Sequence, residues 1–313
     1  MADCLHNHSE FADLIRIVAE ERGVDPALVE KDYWIMHCLY GLQQLGLTFQ
    51  LKGGTSLSKG FQVINRFSED IDIRIEPPPG RDVKTGRNQT KPVQVQSRRD
   101  FYDWLATTIR IDGIEKVERD TAFDNKDLFS AGIRLSYKSV TGRLEGLREG
   151  VLLELGFDDV TPNTAKDISS WAYDYAADKV DIIDNRAKGV ACYDLRYTFV
   201  EKLQTVSTKF RLQQQSGESP VGFMRHYYDV YALLQRPDVQ AFIGTEAYRT
   251  HKAKRFRGAD NPNIAQNEAF ILSDPKTRKT YEEAFAASGA LYYGAKPSFD
   301  QILGEIKKWI DRL

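Results

Sequence analysis

Gly53-Gly54-Thr55-Ser56, followed at positions 70–72 by Asp70-Ile71-Asp72, is the stretch on which the reading of this chain turns. Leu47, Phe49 and Leu51 alternate with polar neighbours and predict a strand running into Lys52. Two glycines then allow a tight turn and a close approach of backbone to a ligand. Thr55 and Ser56 suit a helix N-cap, where unpaired N–H groups and the helix dipole favour an anionic phosphate. After a helix-compatible stretch, Ile71, Ile73 and Ile75 alternate with Asp70 and Asp72, so a second strand buries the isoleucines and puts both carboxylates on its other face. Two carboxylates about 7 Å apart along a strand can share hard divalent cations. The alternative without chemistry is a solvated Asp-Ile-Asp on an exposed strand face. A phosphate turn beside paired acids, taken alone, permits kinases, hydrolases and transferases.

Nucleotidyl transfer asks for this arrangement: metal ions bridge the triphosphate and need carboxylates on a rigid edge. It also asks for a third carboxylate on a neighbouring strand. Glu154 lies in Val151-Leu152-Leu153-Glu154-Leu155-Gly156-Phe157, the most hydrophobic strand candidate in the chain. An acid there is costly to bury unless it is paired or binds a metal, and an edge-strand acid facing water is the other reading. Asp158 and Asp159 read as turn residues.

The 313 residues carry 43 basic and 45 acidic side chains, a net charge of −2, so nothing global argues for a nucleic-acid partner. Hydrophobic residues make up 42%, enough for one large or two medium domains and too many for a mainly disordered chain. Cys4, Cys38 and Cys192 are far apart, without metal-ligand spacing, and read as buried structural residues in a reducing compartment. His6 and His8 read as tail residues. No run approaches the ~20 apolar residues of a membrane span, and the expectation is a soluble, cytoplasmic protein.

The first ~45 residues look helical, with Asp25 as N-cap and Pro26 as first helical residue, and Gly46 ends that helix. Residues 76–99 read as an exposed basic loop, followed by a helix over about 100–111. Alternating segments near Val117 and over 133–137, 151–157 and 180–183 predict further strands. From about Tyr193 the period becomes helical, with one stripe of Leu195, Phe199, Leu203, Val206 and Phe210. A polar break over 213–220 precedes a helix carrying Phe223, Tyr227, Val230 and Leu234, and the chain closes on Phe299, Ile302, Ile306, Trp309 and Ile310. The fold class is α+β: a mixed β-sheet flanked by helices over residues 1–192, then a C-terminal helical domain over 193–313.

Lys202 falls at the rim of the 195–210 stripe, where a snorkelling lysine and a phosphate-binding lysine look alike. Arg225 and Asp229, four apart, read from spacing as a solvated ion pair. The segment from Arg81 to Arg99 and the cluster His251, Lys252, Lys254, Arg255 and Arg257 are each either solvated surface or a contact to polyanion phosphates.

With these residues laid out, the chain resembles the AbiEii/AbiGii toxin family of the DNA polymerase β-like nucleotidyltransferase superfamily. The resemblance is carried by Glu30-Lys31-Asp32-Tyr33-Trp34, by Lys52-Gly53-Gly54-Thr55-Ser56-Leu57-Ser58-Lys59 and by Arg66-Phe67-Ser68-Glu69-Asp70-Ile71-Asp72. It continues in Glu201-Lys202-Leu203, Arg225-His226-Tyr227-Tyr228-Asp229, His251-Lys252 and Pro297-Ser298-Phe299. It implies an Mg²⁺- or Mn²⁺-dependent nucleotidyltransferase, the toxin half of a phage-defence toxin–antitoxin pair. It is similar to the MenT toxins, which transfer nucleotides to the 3′ end of tRNA. By that resemblance Gly53, Gly54, Thr55 and Ser56 hold the nucleoside triphosphate (NTP), with Lys202 and Arg225 offsetting phosphate charge. Asp70 and Asp72 hold the metals by the same resemblance, with Glu154 assigned as the third metal ligand by its strand context, and Lys202 and Asp229 match later motif positions near the nucleotide. A cognate antitoxin is the implied partner. A protein hydroxyl as acceptor, and a nucleotide-binding protein without catalysis, remain the alternatives.

Overall fold

The computed structural model describes residues 2–256 and 258–313. The chain divides into two compact units, Met1–Phe61 with Phe67–Tyr193, and Gln62–Arg66 with Asp194–Leu313. Among the described residues no helix is long and apolar enough to cross a membrane.

In the first unit, α1 (Phe11–Arg22) and α2 (Pro26–Gln44) lead into the sheet. The Asp25 carboxylate accepts from the Ala27 N–H at 2.8 Å and Pro26 takes the first helical position, where a missing N–H costs nothing. β1 (Phe49–Lys52) enters the short helical turn α3 (Gly53–Thr55), which continues as a π-helical turn over Ser56–Gly60. Then come β2 (Asp70–Ile75), α4 (Pro92–Thr108), β3 (Ile114–Asp120), β4 (Ser130–Tyr137) and β5 (Val151–Gly156). β6 (Asn163–Ile168), α5 (Trp171–Ala176) and β7 (Ala187–Tyr193) complete the unit.

The seven strands are ordered β3-β4-β5-β2-β1-β7-β6. β2 runs parallel to β5 and β1 parallel to β7, while the other neighbours are antiparallel, so the sheet is mixed. Ile71, Ile73 and Ile75 on β2, with Val151, Leu153 and Leu155 on β5, are buried on one face, as period-2 alternation dictates. The opposite face receives the charged residues.

Three local expectations change. Residues 180–183 form no strand; Ile182 makes one isolated bridge to Asp3. The strands of that region are β6 and β7 instead. β6 is an exposed edge strand without an apolar face, and β7 carries Gly189 at positive φ, so neither shows the alternation that marks a half-buried strand. The third change is at α4, which starts at Pro92, well inside the expected loop. Pro92 sits at the first helical position, and the Gln94 side chain accepts from the Lys91 N–H at 3.0 Å.

The second unit is helical: α6 (Leu195–Ser216), α7 (Met224–Leu234), α8 (Pro237–Phe242), α9 (Glu246–Arg255), α10 (Glu268–Ile271), α11 (Pro275–Ala287) and α12 (Phe299–Trp309). Asp194 caps α6 by accepting from the Arg196 N–H at 2.9 Å, and Gly217 ends it in the left-handed region. Leu195, Phe199, Leu203 and Val206 of the stripe are buried. On α12, Phe299, Ile302, Leu303 and Ile306 form the apolar face behind a Ser298/Gln301 capping box.

Candidate active site

β2 places Asp70 and Asp72 on the same face, two residues apart. In the parallel pairing to β5, Asp72 lies directly beside Glu154; in the antiparallel pairing to β1, it lies opposite Lys52. Lys52, Asp72 and Glu154 thus form one row across three adjacent strands, with Asp70 one step along β2. Adjacent strands are about 4.8 Å apart, so the three carboxylates occupy one patch.

The glycine turn is fitted to that patch. Gly53 adopts φ +71°, and a Cβ built there would come within 2.0 Å of Asp72 Oδ2. Only glycine meets both conditions, since a side chain would be strained in this backbone region and would displace the carboxylate. The helix N-cap is Lys52, three to four residues earlier than Thr55 and Ser56. Both of those side chains are buried, and the Thr55 hydroxyl donates to the Asp70 carbonyl, tying the turn to β2. What the turn exposes to a ligand is therefore backbone, not hydroxyl groups.

Asp70 is buried and incompletely partnered. Arg148 Nη1 lies 3.1 Å from Asp70 Oδ2, and among the described residues Asp70 Oδ1 has no hydrogen-bond partner. Burial pushes the Asp70 carboxyl above its ordinary value, with Glu69 adding to the rise and Arg148 opposing it. A desolvated oxygen without a partner, an anionic neighbour set of hard oxygens and a glycine that leaves Asp72 room fit a divalent cation with oxygen ligands. Asp70, Asp72 and Glu154 are the residues that would hold it.

Three consecutive charges on α2 brace this patch, and all three are buried. Glu30 accepts from Ser139 Oγ at 2.7 Å, the Val140 N–H at 2.9 Å and Thr141 Oγ1 at 2.6 Å. Lys31 Nζ donates to the Arg148 carbonyl at 2.6 Å and lies 3.6 Å from Glu69, whose carboxylate accepts the Arg148 N–H at 2.9 Å. Asp32 accepts from Lys59 Nζ at 2.7 Å, at the end of the glycine turn, and from the Trp171 N–H at 2.8 Å. The backbone of Arg148 is thereby pinned on both sides, while its side chain is 42% exposed and lines, with Glu30, Tyr137 and Arg143, a cleft of about 880 Å³. Arg148 and Glu69 were not singled out by sequence reasoning; three charges in a row on an otherwise apolar helix were the available signal.

The second unit holds Lys202 and Asp229. Asp229 is fully buried and does not form the solvated pair with Arg225 that spacing suggests. Arg66 grips it through Nε at 2.6 Å and Nη2 at 2.7 Å, and Lys202 Nζ lies 2.8 Å from Oδ2. Burial alone would raise the Asp229 carboxyl; the Arg66 guanidinium and the Lys202 ammonium hold it far below the usual range. Arg225 is half-buried on α7.

The basic segments are engaged within the fold. Arg98 is fully buried, donating to the carbonyls of Asp127, Gln89 and Lys84. Arg81 stacks over Trp104 at 3.9 Å and Arg87 pairs with Asp158, while Lys91 and Arg99 are exposed. Lys252 donates to the Leu313 carbonyl, and His251 and Arg255 face Glu201 at 3.7 and 3.6 Å. Arg257 lies outside the described residues. His6 is no tail residue: it packs against Tyr33, Trp34 and His37 on α2.

No curated protein matches the chain in sequence. Among solved structures it is similar to an antigenic nucleotidyltransferase-like protein from Paracoccidioides brasiliensis, with 12% identity over 87% of this chain and 97% of that chain and a TM-score of 0.35. The family described as "Nucleotidyl transferase AbiEii toxin, Type IV TA system" matches residues 35–305, a span that takes in the glycine turn, the three carboxylates, Lys202 and Asp229. The chain therefore belongs to the AbiEii nucleotidyl transferase toxin family of type IV toxin–antitoxin systems.

Proposed function

We propose that the protein transfers a nucleoside monophosphate from an NTP to the 3′ end of tRNA, using a divalent cation, Mg²⁺ or Mn²⁺, held by Asp70, Asp72 and Glu154. The observation that carries this reading is the row Asp72–Glu154 beside Asp70, with the Asp70 Oδ1 oxygen unpartnered. Bound there, the cation would supply Lewis-acid stabilisation of the charge that builds on the transferring phosphoryl group and the leaving pyrophosphate. Asp70 and Asp72 would hold the cation that positions the α-phosphate, and Glu154 would complete its donor set and favour the deprotonated hydroxyl, whose proton passes to solvent. That oxygen forms a bond to the α-phosphorus in line, and the bond from α-phosphorus to the bridging oxygen breaks with its electron pair leaving on pyrophosphate. The backbone N–H groups of the Gly53-Gly54-Thr55-Ser56 turn cradle the phosphates. Arg148 is a cation resting on Asp70 until substrate arrives, when its guanidinium turns to the triphosphate. For Lys202, Arg225 and Asp229 the role near the nucleotide rests on the family resemblance alone.

A second acceptor, a protein hydroxyl, is favoured by one observation: Arg98, Lys252 and Arg255 are spent on internal carbonyls and Glu201, which weakens the electrostatic case for a large polyanion. Incubation with each α-labelled NTP, Mg²⁺ and total tRNA, with and without cellular protein, separates the two. Label in tRNA with wild type and none with Asp72→Ala is expected. Label confined to protein would replace the acceptor, and no label in either would remove the enzymatic reading. Growth arrest on expression, relieved by a cognate antitoxin and by Asp72→Ala, is the corresponding outcome in cells, and protection from phage by the intact pair is expected.

A further inference from the structure

Away from the carboxylate row, the beginning of the chain and the middle of α2 bring soft and borderline donors together. Cys4 and His6 lie at the short 3₁₀ turn Leu5–Asn7, and His37 lies on α2. One donor atom each from Cys4, His6 and His37 lies within 4.8 Å of the other two, and so do donors from Asp3, Cys4 and Asp112. Asp112 meets both rings: its Oδ2 is 3.0 Å from His6 Nε2 and its carbonyl is 3.0 Å from His37 Nε2. The other nitrogen of each ring is held as well, His6 Nδ1 by the Tyr33 hydroxyl at 2.8 Å and His37 Nδ1 by Asn185 Nδ2 at 2.8 Å. A ring oriented through its second nitrogen, as His6 is by the Tyr33 hydroxyl, is the usual support of a metal centre. Gly113 brings the backbone against the cluster, for a Cβ there would lie 2.6 Å from His6 Nε2. Cys4 is a free, buried thiol, whereas the Asp112 side chain is 59% exposed and leaves one edge open to entering ions.

We propose that Cys4, His6, His37 and Asp112 form a structural zinc site. One thiolate, two imidazoles and a carboxylate make a tetrahedral donor set for Zn²⁺ and a poor one for Mg²⁺, which takes oxygen ligands, so the site is chemically separate from Asp70, Asp72 and Glu154. With bonds of about 2.0–2.3 Å, ligand atoms in such a site sit roughly 3.3–3.7 Å apart, so Cys4, His6 and His37 close by about 1 Å on binding and Asp112, which meets the cluster at Cys4 and His6, moves in to complete it. The ion replaces the His6–Asp112 hydrogen bond and the bond from His37 Nε2 to the Asp112 carbonyl; each ring's proton moves to Nδ1, facing the Tyr33 hydroxyl in His6 and an Asn185 amide turned to present its Oδ1 in His37, and the Cys4 thiol proton passes to solvent as the S–Zn bond forms. The ion would staple the first residues and the turn at Asp112 to α2, the helix whose charges brace the carboxylate patch.

The test uses untagged full-length protein loaded with Co²⁺ and dialysed. Expected are about one bound equivalent, a near-ultraviolet thiolate-to-cobalt band, tetrahedral visible bands, and displacement by Zn²⁺. The thiolate band should vanish in Cys4→Ser and the bound ion in His37→Gln, while Asp70→Asn/Asp72→Asn keeps both. Should those two variants fail to fold, the wild type decides: zinc protecting Cys4, and not Cys38 or Cys192, from alkylation supports the site. A wild type without the thiolate band, or a Cys4 alkylated equally with and without zinc, overturns it.

Discussion

Asp70 and Asp229 are both buried carboxylates, and the fold treats them in opposite ways. Asp229 is saturated, both oxygens taken by Arg66 and one also by Lys202, and its acidity is greatly increased. Asp70 keeps one oxygen without a partner and the other at the tip of a half-exposed arginine, and its acidity is reduced. A buried anion that is fully neutralised by protein cations is a structural joint. One whose neutralisation is left unfinished carries a standing cost in stability and leaves an oxygen for the cation proposed above.

The comparison breaks first at Asp229. Asp229→Ala leaves Arg66 buried without its anion and should cost about 3–5 kcal/mol in urea unfolding; a cost below about 1 kcal/mol would mean that the joint is not one. Because the folded-state value is depressed, the contribution is fully present above the unfolded-state value near 4 and is lost as pH falls below it. The acid limb of stability against pH should therefore be shallower in the variant. Gly53→Ala acts on the other side. Displacing Asp72 by about 1 Å should lower NMP transfer on the order of 100-fold, with a smaller stability loss of about 1–2 kcal/mol. Unchanged turnover would show that Asp72 tolerates the shift. Arg148→Ala should raise KM for NTP about 10-fold, the value of a charge-assisted contact, while Mn²⁺ binding without nucleotide tightens because the competing cation is gone. A changed melting temperature with unchanged KM would make Arg148 structural instead. The smallest effect is the most pointed: Asp70→Asn should abolish transfer yet stabilise the protein in EDTA by about 1 kcal/mol, read as a rise of a few degrees in Tm. Destabilisation would place Asp70 in the same class as Asp229.

The carboxylate patch was legible because its strands obey simple periods. Ile71, Ile73 and Ile75 announce β2, and the apolar run around Glu154 announces β5; only their parallel register, which sets Glu154 beside Asp72, needed three dimensions. β6 and β7 were missed because one is a polar edge strand and the other is interrupted by Gly189. Arg98 read as loop charge because its partners are three backbone carbonyls, which carry no side-chain signal. Asp229 was assigned to its helical neighbour Arg225 because its true partner, Arg66, is 163 positions away. His6 was discounted for the same reason, since Tyr33, His37 and Asp112 are remote in sequence.

The buried charges of α2 also govern when this protein can assemble. Asp32 waits for Lys59, 27 positions on, and for Trp171, 139 positions on; Glu30 waits for residues 139–141, and Lys31 for the Arg148 carbonyl. As the chain is synthesised, α2 emerges with three ionised groups that no core will accept until those partners exist. This early helix is thus held back from docking until β5 and the start of α5 have been made. The bracing of the carboxylate patch is therefore complete only once most of the first unit has been made.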